Sequence, residues 1–185
     1  MKNPTLNPEH FLNRLPLKYN CNATAVPIPL VLRELFEPLP LQGHQQSFND
    51  YCNAALTDAY SWAGGSPANA VYYGACLELL IEVGWLLHRH APKQKDRKRP
   101  ALHRLPVPLT AQEYRRPQLF LQQFFAYAAL RKWKLLVAAF TLNAVGNSSV
   151  ADEVAAPELL VFYTYIQKLI YAVHRVALLK GLKPA

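Results

Sequence analysis

Residues 66 to 90 constrain this chain most, because their pattern fits one long helix and no other regular structure. Ser66 is a suitable N-cap, and Pro67 follows at the first helical position, where an N–H is not needed. Apolar residues then recur at helical spacing: Val71, Ala75, Leu79, Val83 and Leu86. Pro92 ends the pattern, since proline lacks an N–H and pushes its neighbour out of the α region. We therefore predict a helix with at least one wide buried face.

A second helix is predicted directly before the first. Between residues 45 and 63 the apolar residues again follow helical spacing: Phe48, Tyr51, Cys52, Ala55, Leu56, Ala59 and Trp62. Gly64 and Gly65 come next, and glycine takes the left-handed conformation that ends many helices. Because Ser66 starts the next helix at once, residues 45 to 90 are expected to form an antiparallel αα-hairpin.

Residues 118 to 180 are predicted to form two more long helices. The first starts near Pro117 and runs to about Val145, with Gly146 as its stop. Its apolar residues cover much of the circumference, so we expect a central helix. The second starts near Pro157 and ends near Lys180, with Gly181 beyond it.

Two proline-rich segments separate or precede these helices. Residues 1–44 hold seven of the fifteen prolines, and 91–117 hold five more. Each proline inside a helix costs about 3 kcal/mol, so only short helices are expected in 1–44, at Pro8–Leu12 and after Pro29. The large apolar residues of 1–44 indicate an ordered arm that lies along the bundle. We read 91–117 as a long basic loop.

Together these patterns predict an all-α fold: a four-helix bundle-like core with a Pro-rich N-terminal arm. A chain of 185 residues is expected to form one domain, spanning 1–185. Charged residues make up only 17% of the chain, against about 25% in typical domains. The shortage indicates apolar surface that a second copy or another protein covers. A surface rich in Tyr, Gln and Asn is the alternative explanation.

The cysteines and the N-terminus bear on location. Cys21, Cys52 and Cys76 are odd in number and widely spaced, which indicates neither a disulfide framework nor a zinc site. Free thiols fit a reducing compartment. The N-terminal residues lack the apolar core of a signal peptide, and the best candidate span, 118–145, is interrupted by Arg131, Lys132 and Lys134. We expect a cytoplasmic protein without a transmembrane segment.

The positive charge is concentrated in one part of the chain. Residues 88–116 contain nine basic and two acidic residues, which is +7 of the total net charge of +8. The nine are the candidate polyanion-binding residues: Arg89, Lys93, Lys95, Arg97, Lys98, Arg99, Arg104, Arg115 and Arg116. Such a cluster attracts phosphate groups, and nucleic acid is the commonest partner of this kind. A solvated loop that keeps an apolar protein in solution is the competing interpretation.

Acidic residues and histidines offer weaker candidates for chemistry. Glu78 and Glu82 share one face of the 66–90 helix, but the Glu-x-x-His partners of a di-metal site are missing. We expect these carboxylates to face solvent or to pair with a basic side chain: Arg131, Lys134, Lys168 or Arg175. His88 and His90 point apart on a helix, and His174 is expected to lie against the negative end of the last helix. We predict no metal site.

Aromatic residues cluster at helical spacing, among them Tyr72, Tyr73, Trp85, Phe124, Trp133 and Tyr165. They are expected to be core residues, and a pocket for a flat ligand between helices is the functional alternative. Glycine-rich phosphate loops, nucleophile elbows and zinc-protease motifs are all missing from the sequence. No catalytic residue and no cofactor is predicted.

The sequence leaves three functional hypotheses. The first is a non-catalytic interaction or assembly module that associates with itself or with another protein through apolar helix faces. The second is an accessory protein that binds nucleic acid through residues 88–116. The third is a small-ligand binder or enzyme with an aromatic interhelical pocket. Salt separates the first two, because polyanion binding weakens steeply with ionic strength and hydrophobic association does not.

Overall fold

The computed structural model describes residues 11–62, 65–90 and 108–182, and these residues form an all-α fold. The prediction of the fold class is confirmed. The helices are α1 (Arg14–Tyr19), α2 (Ile28–Phe36), α3 (Leu41–Leu56), α4 (Pro67–Arg89), α5 (Ala111–Arg115), α6 (Pro117–Tyr127), α7 (Leu130–Gly146) and α8 (Ala156–Leu179). Two short 3-10 turns, Ala23–Ala25 and Val150–Asp152, lie in the connections.

Helix α4 is the centre of the bundle and has the predicted bounds. It packs against α7, α6, α3 and α8, and Leu77, Leu80 and Ile81 on it are fully buried. Helices α4 and α7 run antiparallel, because Glu82 meets Lys134 near one end and Gly74 meets Thr141 near the other. One continuous apolar core, drawn from α1 to α8, fills the space between the helices.

Helix α3 ends seven residues earlier than predicted, at Leu56. Thr57 is extended and Ala59 adopts a left-handed backbone with φ 53°. The turn after α7 holds this end: the Ser149 hydroxyl donates to the Leu56 carbonyl (3.1 Å), and the Ala59 N–H donates to the Asn147 carbonyl (3.3 Å). These long-range bonds satisfy backbone groups that the helix would otherwise have paired. The prediction that a tight turn at 64–65 joins the two helices is therefore wrong, since the connection between α3 and α4 already starts at residue 57. Gly64 itself lies outside the described residues.

The predicted helix from Pro117 to Val145 is two helices. Ala128 and Ala129 are extended, with ψ 146° and 154°, and separate α6 from α7. The break lets Trp133 fold back on the preceding helix. Its ring stacks on Phe124 with centroids 4.1 Å apart, and its indole N–H donates to the Phe124 carbonyl (3.2 Å). The prediction of two long helices over 118–180 is thus corrected to three helices.

The described part of the N-terminal arm is ordered and belongs to the core. Leu15, Leu32 and Phe36 are buried, and α1 and α2 pack against α4. Helix α2 matches the predicted helix after Pro29. Most of the helix predicted at Pro8–Leu12 lies outside the described residues.

The segment predicted as a loop from 91 to 117 contains a helix. Residues 91–107 lie outside the described part, and α5 follows them. Its start is fixed by a capping box in which Glu113 N–H donates to the Thr110 hydroxyl and Thr110 N–H donates to the Glu113 carboxylate. The Lys168 ammonium on α8 lies 2.9 Å from the same carboxylate. This pair ties α5 to the bundle.

Helix α4 is the one helix in the described residues that is long and apolar enough to cross a membrane, with a window hydropathy of 1.5. Inside the structure 61% of that window is buried. Burial on this scale is typical of a core helix, and α4 also carries the fully buried Glu82. The window is weak evidence for a membrane span.

Candidate functional surfaces

The described structure contains three of the nine basic residues predicted to bind polyanions. Arg89 is the last residue of α4, Arg115 is the last residue of α5, and Arg116 precedes α6. The other six lie outside the described residues: Lys93, Lys95, Arg97, Lys98, Arg99 and Arg104. Binding of nucleic acid through 88–116 therefore stays a prediction.

The Glu82 carboxylate is fully buried, and its partners are backbone N–H groups and one ammonium group. Its oxygens accept the backbone N–H groups of Asn13 (3.3 Å), Arg14 (3.1 Å) and Leu15 (2.8 Å), which are the unpaired donors at the start of α1. The Lys134 ammonium lies 2.6 Å away and balances the charge. Glu82 thus acts as an N-terminal cap supplied by a different helix.

Glu78 extends the same network toward the surface. Its carboxylate lies 2.6 Å from the Arg14 guanidinium and 3.3 Å from the Lys134 ammonium. The prediction that Glu78 and Glu82 pair with a basic side chain is confirmed for Lys134. The described residues contain no group of three or more His, Cys, Asp or Glu side chains that could hold a metal ion.

Histidines of the described bundle pack against aromatic rings. His44 is buried, its Nε2 lies 2.9 Å from the Leu35 carbonyl, and its ring meets Phe36 at 5.0 Å. His174 also meets the Phe36 ring at 5.0 Å, so its ring packs against α2, and the predicted interaction with the negative end of α8 stays a prediction. Burial lowers the pKa of both rings, and the pKa of His174 is lowered further by His44 and Arg175.

One face of α7 is exposed and apolar. Leu135, Leu142 and Val145 are exposed, with Leu142 at 73%, and Ala138 lies between them on the same face. On α4, the exposed Val71 lies opposite the C-terminal end of α7 in the antiparallel register. We call these five residues the α7 stripe. These five residues are all apolar, and the charged Arg131 lies one turn before Leu135 on the same face. An exposed helix face normally carries more polar groups than this.

An aromatic pocket of about 560 Å³ lies where α3, residues 57–62 and the start of α4 meet. Its rings come from Tyr51, Tyr60, Trp62, Tyr72 and Tyr73, and Asp50 is the charged residue of its lining. The sequence analysis predicted Trp62 to lie on a helix face. Of the five aromatic residues of this pocket, only Tyr72 and Tyr73 belong to the predicted aromatic clusters. The early end of α3 is what turns Tyr60 and Trp62 into pocket residues.

Comparison of this chain with known proteins finds no significant match to a family model, to a curated protein or to a solved structure. The functional proposals therefore rest on the geometry of these surfaces.

Proposed function

We propose that this protein is a non-catalytic helical assembly module that pairs with a second copy of itself through the α7 stripe. The supporting observation is the exposure of Leu135, Leu142 and Val145 along one helix face. Burying a leucine of this kind is worth about 1.5–3 kcal/mol relative to leaving it in water. A low content of charged residues, 17% of the chain, is consistent with a surface that is covered in the assembled state.

A second copy fits this face because of how charge is distributed around it. Arg131 is exposed at the N-terminal end of the stripe, and Asp152 and Glu153 are exposed just beyond the C-terminal end of α7. In a two-fold pair the same face meets itself, so two α7 helices run antiparallel. That arrangement brings the basic end of each copy toward the acidic end of the other. It also sets the helix dipoles in the favourable orientation.

Small residues allow the two helices to approach closely. In the antiparallel pairing, Leu142 of one copy packs over Ala138 of the other, and Leu135 packs near Val145. This is the knob-and-hole contact that antiparallel helix pairs use. Val71 on α4 widens the buried area at each end.

Analytical ultracentrifugation of the full chain tests the proposal. Wild type is expected to sediment as a dimer, and Leu142→Glu as a monomer, because the variant places a carboxylate in the centre of the contact. The matched control is Leu17→Glu on α1, where the side chain is 84% exposed and outside the stripe. The control is expected to remain dimeric. A monomeric wild type at every concentration, or dimers of Leu142→Glu, would refute the pairing.

A further inference from the structure

The aromatic pocket presents ring faces from more than one direction. Tyr60 and Trp62 stand at 85° to each other with centroids 5.0 Å apart, which forms a corner. Tyr72 closes another side and is 71% exposed, an unusual position for so large a ring. Ring faces carry negative electrostatic potential, so several of them around one space attract a cation.

Tyr51 and Tyr73, at the bottom of the pocket, contribute their rings to its lining and turn their hydroxyl groups away from it. The Tyr73 hydroxyl donates to the His44 carbonyl (2.7 Å), and the Tyr51 hydroxyl donates to the Val137 carbonyl (2.8 Å). Both bonds point into the bundle. Burial raises the pKa of both phenols, so the rings stay neutral at physiological pH. The floor of the pocket is therefore apolar and electron-rich.

Asp50 supplies a negative charge at the wall. Its Oδ1 accepts a hydrogen bond from Gln46 (3.0 Å), and no ion pair to it is found in the described residues. The lining contains no Lys, Arg or His side chain. The Asp50 side chain is half-buried and open to solvent, so a cation bound in the pocket would form a charge-assisted contact with its carboxylate.

Two described basic side chains bear on a cation in this pocket. Lys18 lies beside Tyr72 in a neighbouring groove, and its ammonium is paired with the Glu34 carboxylate (2.5 Å). Arg89 lies at the far end of α4, sixteen residues beyond Tyr73, which is about 24 Å along the helix.

We propose that this pocket binds a small organic cation of the quaternary or alkylated ammonium class. Such a cation has a large apolar surface for the rings of Tyr60, Trp62 and Tyr72 and a single charge for Asp50. Its weak hydration makes transfer into an aromatic site easier than for a metal ion or a primary amine. The volume of about 560 Å³ suits a small molecule. This site is separate from the α7 stripe, and its test does not depend on dimer formation.

Isothermal titration of the full chain with choline tests the site, and 3,3-dimethylbutan-1-ol is the matched neutral ligand. The two have the same shape, and only choline carries charge. We expect saturable choline binding and at least about tenfold weaker binding of the alcohol. Equal binding of the two, or no saturable choline binding, would overturn the proposal. Vesicles of phosphatidylcholine serve as a second titrant: binding to vesicles without binding to free choline would also overturn it.

Two variants locate the site without disturbing the core. Asp50→Asn keeps the shape and removes the charge, and Tyr72→Leu removes an exposed ring. Each is expected to weaken choline binding by about fivefold or more. Asp58→Asn is the control, since Asp58 is an exposed carboxylate on the same connection that does not line the pocket. An affinity that is unchanged in Asp50→Asn and Tyr72→Leu, or that falls as much in Asp58→Asn, would contradict this site.

Discussion

The Glu82 carboxylate lies 2.6 Å from the Lys134 ammonium with none of its own side chain exposed. This pair joins α4 to α7 at the place where α1 begins. Removing one partner of a buried ion pair leaves the other charge without compensation, which is more destabilising than losing a surface pair.

We expect Glu82→Gln to lower the free energy of unfolding by about 3 kcal/mol, because α1 loses its charged cap and Lys134 keeps only the more exposed Glu78, at 3.3 Å, as a charged partner. Urea denaturation followed by circular dichroism measures the change. Glu158→Gln is the control: Glu158 pairs with Lys132 at 2.6 Å, but both side chains are substantially exposed, at 32% and 51%. The control should lose less than about 1 kcal/mol. Equal losses in the two variants would mean that the buried network does not anchor α1.

The close approach of α4 and α7 at Gly74 gives a second prediction. A Cβ at Gly74 would lie 2.3 Å from the Thr141 hydroxyl, which is itself held by the Val137 carbonyl and the Tyr51 hydroxyl, each at 2.8 Å. Gly74→Ala is therefore expected to destabilise the fold by about 1–3 kcal/mol, despite the better helix propensity of alanine.

Gly84 on the same helix is the matched control for Gly74. A Cβ at Gly84 would meet the end of the flexible Leu169 side chain, at 3.1 Å, and not a fixed polar group. Gly84→Ala should change the stability by less than about 1 kcal/mol. Thermal unfolding of both variants decides the point, and a Gly74→Ala variant as stable as wild type would show that α4 and α7 are not in this register.

One buried histidine and two half-buried ones predict a loss of stability in mild acid. The folded state lowers the pKa of His44, His174 and His88, mainly through burial, while the unfolded chain protonates histidine near pH 6.5. Between those values the unfolded chain binds more protons, so acidification favours unfolding. The unfolding temperature should fall as the pH drops below about 6.5. His174→Gln should reduce this fall, and a constant unfolding temperature down to pH 5 would contradict the assignment of these rings as neutral in the folded state.

The sequence predicted those features of the fold that depend on local chemistry. The bounds of α4 and α8 follow from residues at their ends, and Gly181 has the expected left-handed backbone at φ 93°. Ser66 is the N-cap residue as predicted, although its side chain makes no capping hydrogen bond. Helix α2 likewise begins beside the proline that predicted it.

Long-range contacts decide the features that the sequence did not predict. Ala128 and Ala129 are good helix formers, so nothing local indicates the break that Trp133 stabilises by stacking on Phe124. The end of α3 at Leu56 depends in the same way on Ser149, more than ninety positions away in the chain. Lys134 is one of the four basic residues that the sequence offers as partners of Glu82. Residue spacing does not indicate that Glu82 also caps α1.

Neither of the two proposed sites was predicted from local sequence features. Helical periodicity did not predict the α7 stripe, because apolar residues around the circumference favoured a central helix. The exposed face becomes visible only when α4 and α3 are seen to cover the other faces of α7. The aromatic pocket requires the early end of α3, which no local pattern indicates. Location in the cytoplasm stays a prediction, in keeping with the three free cysteines.

Cross-linking at Ala138 tests the pairing of two α7 helices most directly. A single Ala138→Cys, in a Cys21→Ser background, places a thiol at the centre of the stripe. Cys52 is buried, and burial raises the pKa of Cys76 to about 11, so we expect both native thiols to react much more slowly than an exposed thiol at neutral pH. A short thiol-specific cross-linker should then give a covalent dimer of Ala138→Cys and none of the control Leu17→Cys. Monomers from both variants, or equal dimers from both, would contradict self-association through α7.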